Sequence, residues 1–339
     1  MANYAKKDAR AWAREHLSGC SSVTIPSYSA DLKRLNEKGI RHDIGRVIDH
    51  GFKYTLLCSE VAITAEENAR FTAWARETAN GRLGLFFHAA FDTLEENIRA
   101  VKLAEKEGAD IVLLSYPAQF WPTSEQEIFD YTKSFCDATD LAVMLFPIPL
   151  WGFERVHPAG MPVALVRRLL DACPNIVAIK AEQGFPLVAG LMEMYRHFRN
   201  EVVISCPIEG DALPLMSLME LQFSGTSYTQ WMGDYFPKAF ELARRGEWDA
   251  AMALYWKVQP ARLASGAATA AYIPGTNYIN RTNWKYMDWL AGFNGGPLRG
   301  PAMRIPDRWM KTLRQGLVAS ELPVTPDPDS QFMLGRFPC

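Results

Sequence analysis

Asn175-Ile-Val-Ala-Ile-Lys180 is the stretch on which the reading of this chain turns. Its apolar middle reads as a buried strand, and its one charged residue, Lys180, stands at the C-terminal end. Burial disfavours the ammonium form and can lower a lysine pKa by several units. That leaves a free amine able to attack a ketone and form a Schiff base. The alternative is a lysine whose stem lies along the sheet while its head reaches water or Glu182. The surrounding organisation weighs between the two.

Working outward, short apolar runs alternate with longer amphipathic ones, the pattern of parallel strands inside a layer of helices. Phe52-Lys-Tyr-Thr-Leu-Leu-Cys58 is followed by Thr64-Ala-Glu-Glu67 and a helical run to about residue 79, with Thr64 as N-cap and Glu67 as its capping-box partner. Leu83-Gly-Leu-Phe-Phe87 precedes a helix from about residue 93 to 107, again with a threonine cap. Asp110-Ile-Val-Leu-Leu114 precedes another that opens at Thr123-Ser-Glu-Gln-Glu127. Ala142-Val-Met-Leu-Phe146, Val202-Val-Ile-Ser205, Phe223-Ser-Gly-Thr226 and an early strand near residues 20 to 25 complete a set of eight. Eight strand and helix units over about 220 residues are the content of an α/β fold of the (β/α)₈ TIM barrel type. The barrel is placed at residues 20–235, a helical C-terminal region packed on it at 236–321, and a surface tail at 322–339. The helical region is broken at Pro260 and Pro274, and Ala291-Gly-Phe-Asn-Gly-Gly-Pro-Leu-Arg-Gly-Pro301 reads as an ordered loop against the barrel.

Composition narrows the function classes. A chain of 339 residues with 48% hydrophobic and 22% charged residues belongs with soluble globular proteins. A formal charge of -2 and scattered lysines and arginines form no basic stripe, which argues against nucleic acid. Met1-Ala-Asn-Tyr-Ala-Lys-Lys-Asp8 lacks the apolar core of a secretion signal, and no run approaches the roughly 20 apolar residues that span a bilayer. A cytoplasmic location without membrane contact is the expectation. The six cysteines contain no C-x-x-C pair and read as reduced thiols, and the six histidines form no H-E-x-x-H cluster, so neither a metal nor another cofactor is expected.

In such a barrel chemistry gathers at the C-terminal ends of the strands. Lys180 ends the sixth. Its neighbours in space are then Cys58, Ser59 and Glu60 after the second strand, His88 after the third, Ser115 and Tyr116 after the fourth and Phe146 after the fifth. Cys206 follows the seventh, and Ser227, Tyr228 and Trp231 follow the eighth. Trp121, Trp151, Phe153, Phe185, Trp231 and Tyr235 fall in or beside post-strand loops, where rings cover either something apolar such as a substrate or a subunit interface. Asn277, Tyr278 and Asn283 offer the site a polar end. Arg281 or Lys285 offers either a charge for a carboxylate or a solvated helix face.

Between about residues 25 and 301 the chain resembles the class I pyruvate aldolase superfamily that includes dihydrodipicolinate synthase and N-acetylneuraminate lyase. Asn175-Ile-Val-Ala-Ile-Lys180-Ala-Glu-Gln-Gly184 is similar to the segment holding that family's Schiff-base lysine. Leu57-Cys-Ser-Glu60, Leu145-Phe-Pro-Ile-Pro149 and Gly225 support the match, and Ala291-Gly-Phe-Asn-Gly-Gly-Pro-Leu-Arg299 resembles the longer hydratase-aldolases of hydroxybenzylidenepyruvate and carboxybenzylidenepyruvate. The resemblance implies an imine at Lys180 with a small 2-oxo acid, a carbon-carbon bond made or broken, an aromatic aldehyde as second partner, no cofactor, and a homo-oligomer, dimer or tetramer. The expected substrate contacts are Cys58, Ser59, Tyr116, Phe146, Trp151, Glu182, Ser227, Trp231, Asn277 and Asn283.

The departures bear on mechanism. Phe146 stands where the family usually carries its proton-shuttling tyrosine, and Leu57 with Cys58 where it carries a threonine pair. Phenylalanine moves no proton, so the usual relay is absent as a unit. His88, with an ordinary pKa near 6.5, is the first candidate replacement and Tyr228 the second. Against those roles stand a core histidine and a packing tyrosine. Glu60 reads as a buttress of its loop, and Glu182 either pairs with Lys180 or is structural. Two alternatives to an aldolase remain: a Schiff-base dehydratase or other lyase or hydrolase on a different substrate, and an inactive small-molecule-binding homologue.

Overall fold

The computed structural model describes residues 4–117, 119–182, 187–225, 228–270, 279–300 and 304–339. The chain begins with α1 (Ala9–His16) and then alternates β1 (Gly19–Thr24), α2 (Glu37–Asp49), β2 (Tyr54–Leu57), α3 (Ala65–Ala79), β3 (Gly84–Ala89) and α4 (Leu94–Lys106). The alternation continues through β4 (Ile111–Leu114), α5 (Glu125–Ala138), β5 (Ala142–Leu145), α6 (Val163–Ala172), β6 (Ile176–Lys180), α7 (Leu187–Phe198), β7 (Val203–Ser205), α8 (Glu209–Leu215), β8 (Phe223–Ser224) and α9 (Tyr235–Arg244). Every neighbouring pair of strands is parallel, and β8 returns to β1 through Gly19 opposite Phe223 and Cys20 opposite Ser224, closing a (β/α)₈ barrel.

Local chemistry starts the helices where the site needs them. Thr64 accepts from the Glu67 amide at 3.1 Å while the Glu67 carboxylate accepts from the Thr64 amide at 3.1 Å, a reciprocal cap for α3. Thr93 and Ser124 cap α4 and α5 through the amides of Glu96 and Glu127. The far end of the barrel is closed by α1: Arg10 donates to the carbonyls of Ile176 at 2.9 Å and Cys173 at 3.1 Å, and Tyr54 donates to the His16 carbonyl at 2.9 Å.

Inside the barrel, Tyr54, Phe86 and Phe223 meet with centroids 5.7 to 5.9 Å apart. Side chains from β2, β3 and β8 reach one another only across the interior, so these three define the inward face. Gly84 makes room for that contact, because a Cβ there would lie 2.3 Å from the Tyr54 ring. His88, two residues beyond Phe86, shares the inward face. It lies within β3, opposite Leu113, whereas the sequence reading ended that strand at Phe87. A short apolar run reads as stopping at its first polar residue; pairing with β4 carries it two residues further.

Beyond the barrel come α10 (Trp248–Lys257), α11 (Gln259–Ala270), α12 (Arg281–Leu290) and α13 (Asp307–Ala319). Pro260 sits in the first turn of α11, where a missing N–H is tolerated, so the break falls between α10 and α11. Pro274 lies outside the described residues. The loop after α12 packs on the β1 side of the barrel: the Asn294 amide donates to Asp43 at 2.6 Å and its side chain to Ser27 at 2.9 Å.

The segment 322–339, expected as a surface tail, folds back instead. Phe332 is fully buried against Tyr286 and Trp289, and Arg336 donates to the carbonyls of Phe293 and Trp289, both at 3.0 Å. Its few apolar residues, dispersed among prolines and aspartates, give no periodic signal; the aromatic slot on α12 that receives Phe332 exists only in the folded chain. Among the described residues no helix is long and apolar enough to cross a membrane, and all six cysteines are free.

Candidate active site

Burial of β6 takes Lys180 with it. Ile176, Val177, Ala178 and Ile179 are fully buried, and burying a valine or isoleucine side chain is worth about 1.5–3 kcal/mol, enough to hold an amine at the strand end against its hydration. Lys180 is 7% exposed. Its Nζ lies 3.7 Å from the centre of the Phe146 ring and 3.5 Å from Glu182 Oε1. Burial pushes the Lys180 amine down, with the Glu182 and Glu60 carboxylates pulling the other way. Burial pushes the Glu182 carboxyl up, with Lys180 opposing. The two shifts run toward each other, which brings a neutral amine beside a protonated carboxyl closer in energy to the ion pair.

A second charged assembly faces this pair. Cys58 and Ser59 both take positive φ, 88° and 55°, so the chain turns sharply as it leaves β2 and holds that turn at a cost of order 1–3 kcal/mol per residue. The turn presents Glu60 to Arg281 of α12, with which it forms an ion pair. Ser59 Oγ donates to Glu60 at 2.8 Å and accepts from Arg281 Nε at 3.1 Å. Arg281 is buried with its guanidinium 4.1 Å from the Trp284 ring centre, so it is neither a solvated helix-face residue nor a charge free for a carboxylate. Burial alone would raise the Glu60 carboxyl, but Arg281 and His88 hold it well below the ordinary range. His88 Nε2 lies 3.8 Å from Glu60 Oε1 and 2.7 Å from Ser115 Oγ. Burial pushes the imidazole down to about 4, and Lys180 and Arg281 work in the same direction against Glu60. His88 is therefore neutral at neutral pH, where the sequence reading expected it to titrate; the barrel interior removes the hydration that its ordinary pKa assumes.

A cavity of about 380 Å³ opens over the ends of β2 to β5, with Cys58, Glu60, His88, Ser115, Tyr116 and Trp151 in its wall. Lys180 stands outside that wall, linked to it through Glu60 and His88, whose charges act on it or feel its own. Trp151 is anchored by its indole N–H, which donates to the Phe146 carbonyl at 2.6 Å.

The remaining expected residues divide. Tyr116 offers the cavity its ring, since its hydroxyl is bonded to Thr132 of α5 at 2.6 Å. Tyr228 stacks on Trp284 at 4.4 Å, and its hydroxyl lies beside the Asp288 carboxylate in a buried cluster with Asp43 and Lys285. Lys285 donates there to the Pro26 carbonyl at 2.6 Å. Trp231 is buried, its indole donating to the Tyr228 carbonyl at 3.1 Å, and Asn283 is buried beside the Asn280 amide at the start of α12. Trp121 is 68% exposed under Arg155, and Tyr235 donates to Glu209 at 2.7 Å, so neither lines the cavity. Ser227, Asn277, Tyr278 and Phe185 lie outside the described residues. Asn68 of α3 also lines the cavity and was not anticipated, because an asparagine in a helical run reads as a polar face.

A family model described as the Dihydrodipicolinate synthetase family matches residues 33–273, a span that holds Glu60, His88 and Lys180. The chain belongs to that family. Within it, the 4-hydroxy-tetrahydrodipicolinate synthase of Streptococcus pneumoniae (strain CGSP14) is 24% identical over 320 residues, covering 92% of this chain and 95% of the relative. The 4-hydroxy-tetrahydrodipicolinate synthase of Methylacidiphilum fumariolicum SolV superposes with a TM-score of 0.77 at 19% identity, over 90% of this chain and 96% of that one. YagE, a prophage protein of the dihydrodipicolinic acid synthase family from E. coli K12 solved in complex with pyruvate, superposes at 0.72 with 19% identity over 90% and 99%. At these identities the superpositions speak for the fold; the family match carries the relationship.

Proposed function

We propose that this member of the dihydrodipicolinate synthetase family is a class I lyase in which Lys180 forms an imine with a 2-oxo acid. One observation carries the reading: a buried amine at the end of β6, lowered by burial and 3.5 Å from a carboxyl that burial raises. The neutral amine adds to the ketone carbon, its proton passes to the carbonyl oxygen, and the carbinolamine hydroxyl leaves as water on taking a proton from Glu182. The resulting iminium withdraws electrons from the neighbouring carbon. When a β-hydroxyl substrate gives its hydroxyl proton to the Glu182 carboxylate, the carbon-carbon bond breaks to an aldehyde and an enamine. Protonation and hydrolysis of the enamine return pyruvate and Lys180.

Phe146, the residue that the resemblance sets against the family's shuttling tyrosine, lies with its ring centre 3.7 Å from the Lys180 amine and has no proton to give. Glu182 takes the proton-carrying role ahead of His88, which is neutral and held by Ser115, and of Tyr228, which lies beside Asp288. A pyruvate unit is supported by the pyruvate complex of YagE. An aromatic second half is supported by Phe91, Tyr116 and Trp151 around the cavity.

Borohydride reduction in the presence of pyruvate tests the covalent step. A reduced pyruvate adduct mapped to Lys180, absent in Lys180→Ala, is expected. An unmodified Lys180, with turnover retained in Lys180→Ala, would remove this mechanism.

A further inference from the structure

The loop between β2 and α3 supplies Cys58, Glu60, Val61, Ala62 and Ile63 to the cavity wall. Among the described residues, 59–63 make no backbone–backbone hydrogen bond. A stretch without a ladder or a turn bond keeps one conformation only when side chains from elsewhere fix it. Its entry is strained as well, because Cys58 and Ser59 both take positive φ, a state that persists only where the surroundings over-determine it.

The fixing groups come from beyond the barrel. At the near end Arg281, the first residue of α12, pairs with Glu60 and donates from Nε to Ser59 Oγ at 3.1 Å. At the far end Arg299 grips Glu67, the capping residue of α3, through two guanidinium nitrogens at 2.5 and 2.8 Å. The Arg299 and Glu67 side chains are 20% and 19% exposed, so the pair is not one of the solvated surface contacts that hold little. Arg299 Nε donates to the Leu32 carbonyl at 2.7 Å, and Leu32 is another non-glycine residue with positive φ, 62°. Between the two ends, the ring of buried Tyr28 lies 4.4 Å from the same guanidinium while its hydroxyl donates to the Ala62 carbonyl at 2.7 Å. The two arginines flank α12 and the loop that follows it, whose Asn294 is bound to Asp43 and Ser27, so both reach the β2–α3 loop from one docked unit.

We propose that Arg281 and Arg299 are positioning residues for the condensation: carried by the helical C-terminal region, they hold the β2–α3 loop at both ends and so set the wall that receives the second substrate. The assignment rests on the Schiff-base reading and adds to it the residues outside the barrel that the site requires. Lys180 stands on β6 outside this wall, with Glu182 and Phe146 beside it, so its imine with pyruvate does not depend on the far grip. Loosening that grip weakens the second substrate and spares the first.

With pyruvate and benzaldehyde as probes, Arg299→Leu is expected to raise the benzaldehyde KM by about 10- to 100-fold and to leave kcat and the pyruvate KM within about twofold. Arg299→Lys, which keeps the charge but not the fork, falls between, and Tyr28→Phe, which drops only the Ala62 bond, gives the same split more weakly. Alkylation of the native protein by iodoacetamide, mapped by mass spectrometry, reads the loop without any substrate and decides the matter where benzaldehyde is not turned over. Cys58, at the root of the loop, should react at least about 10-fold faster in Arg299→Leu and in Arg281→Lys, while Cys136 and Cys173, buried at α5 and α6, stay protected. An unchanged Cys58 rate in both arginine variants, or a loss of kcat with the benzaldehyde KM unmoved, overturns the assignment. Equal acceleration at all three thiols also overturns it, since the arginines would then serve only global stability. Reduced pyruvate adduct at Lys180 of the unaltered chain separates the two readings: its absence defeats the imine, and its presence with an unmoved loop defeats the positioning role alone.

Discussion

Lys180 and Glu182 are two positions apart in sequence, and each opposes the shift that burial imposes on the other. Removing the Glu182 charge takes away the largest influence that raises the Lys180 pKa, so in Glu182→Gln the amine falls further and the acid limb of the kcat/KM profile moves to lower pH. If Glu182 also carries the carbinolamine proton, turnover falls by about 10²-fold at every pH. A shifted limb with undiminished turnover would leave Glu182 a tuning role only. Lys180 was legible in sequence because a charged residue closing an apolar run has few packing reasons to be there. Glu182 was legible as either a partner of Lys180 or a structural residue, and the fold places its carboxylate 3.5 Å from the amine. His88 was legible as a polar residue among apolar ones, yet its ordinary pKa misled, since burial in the barrel pushes it down, with Lys180 and Arg281 adding to that and Glu60 opposing it.

At the scale of elements, capping and periodicity decide most of the architecture. Thr64 with Glu67, and Thr93 with Glu96, start their helices by local hydrogen bonds that any reader of the sequence can place. The strained exit of β2 is different. Nothing in Leu57-Cys-Ser-Glu60 announces two consecutive positive φ angles; they are held by Arg281, some 220 residues away along the chain. The C-terminal segment shows the same dependence. Phe332 fills a slot between Tyr286 and Trp289, so Phe332→Ala should cost about 3–5 kcal/mol, read as a lower urea midpoint. A midpoint within error of the unaltered protein would mean that 322–339 is detachable after all.

For the whole molecule, stability against acid is a balance of buried groups that pull in opposite directions. His50 is held neutral: its Nε2 accepts from Arg46 at 2.9 Å, which leaves Nδ1–H to donate to the Gln230 carbonyl at 3.2 Å, and burial followed by Arg46 pushes it down to about 4. Because the folded pKa lies below the unfolded value near 6.5, this contribution is complete above 6.5 and is lost as pH falls toward 4, up to about 3 kcal/mol. Asp43 opposes it: burial pushes its carboxyl up to about 7, so it stabilises at low pH and loses that contribution as pH rises through 7. The His50 share is isolated by His50→Gln, which keeps one donor and one acceptor but takes no proton. Its urea midpoint should gain on that of the unaltered protein as pH drops through this window, and parallel curves would deny His50 the role. The sequence by itself determined the barrel, the eight alternating units and the lysine at the end of the sixth strand, because caps, periodicity and a lone charge in an apolar run are local properties. Only the tertiary structure decided that Glu182 reaches the amine, that Tyr228 turns toward Asp288 and that Glu60 answers to Arg281, because each depends on which distant groups share a space closed to water.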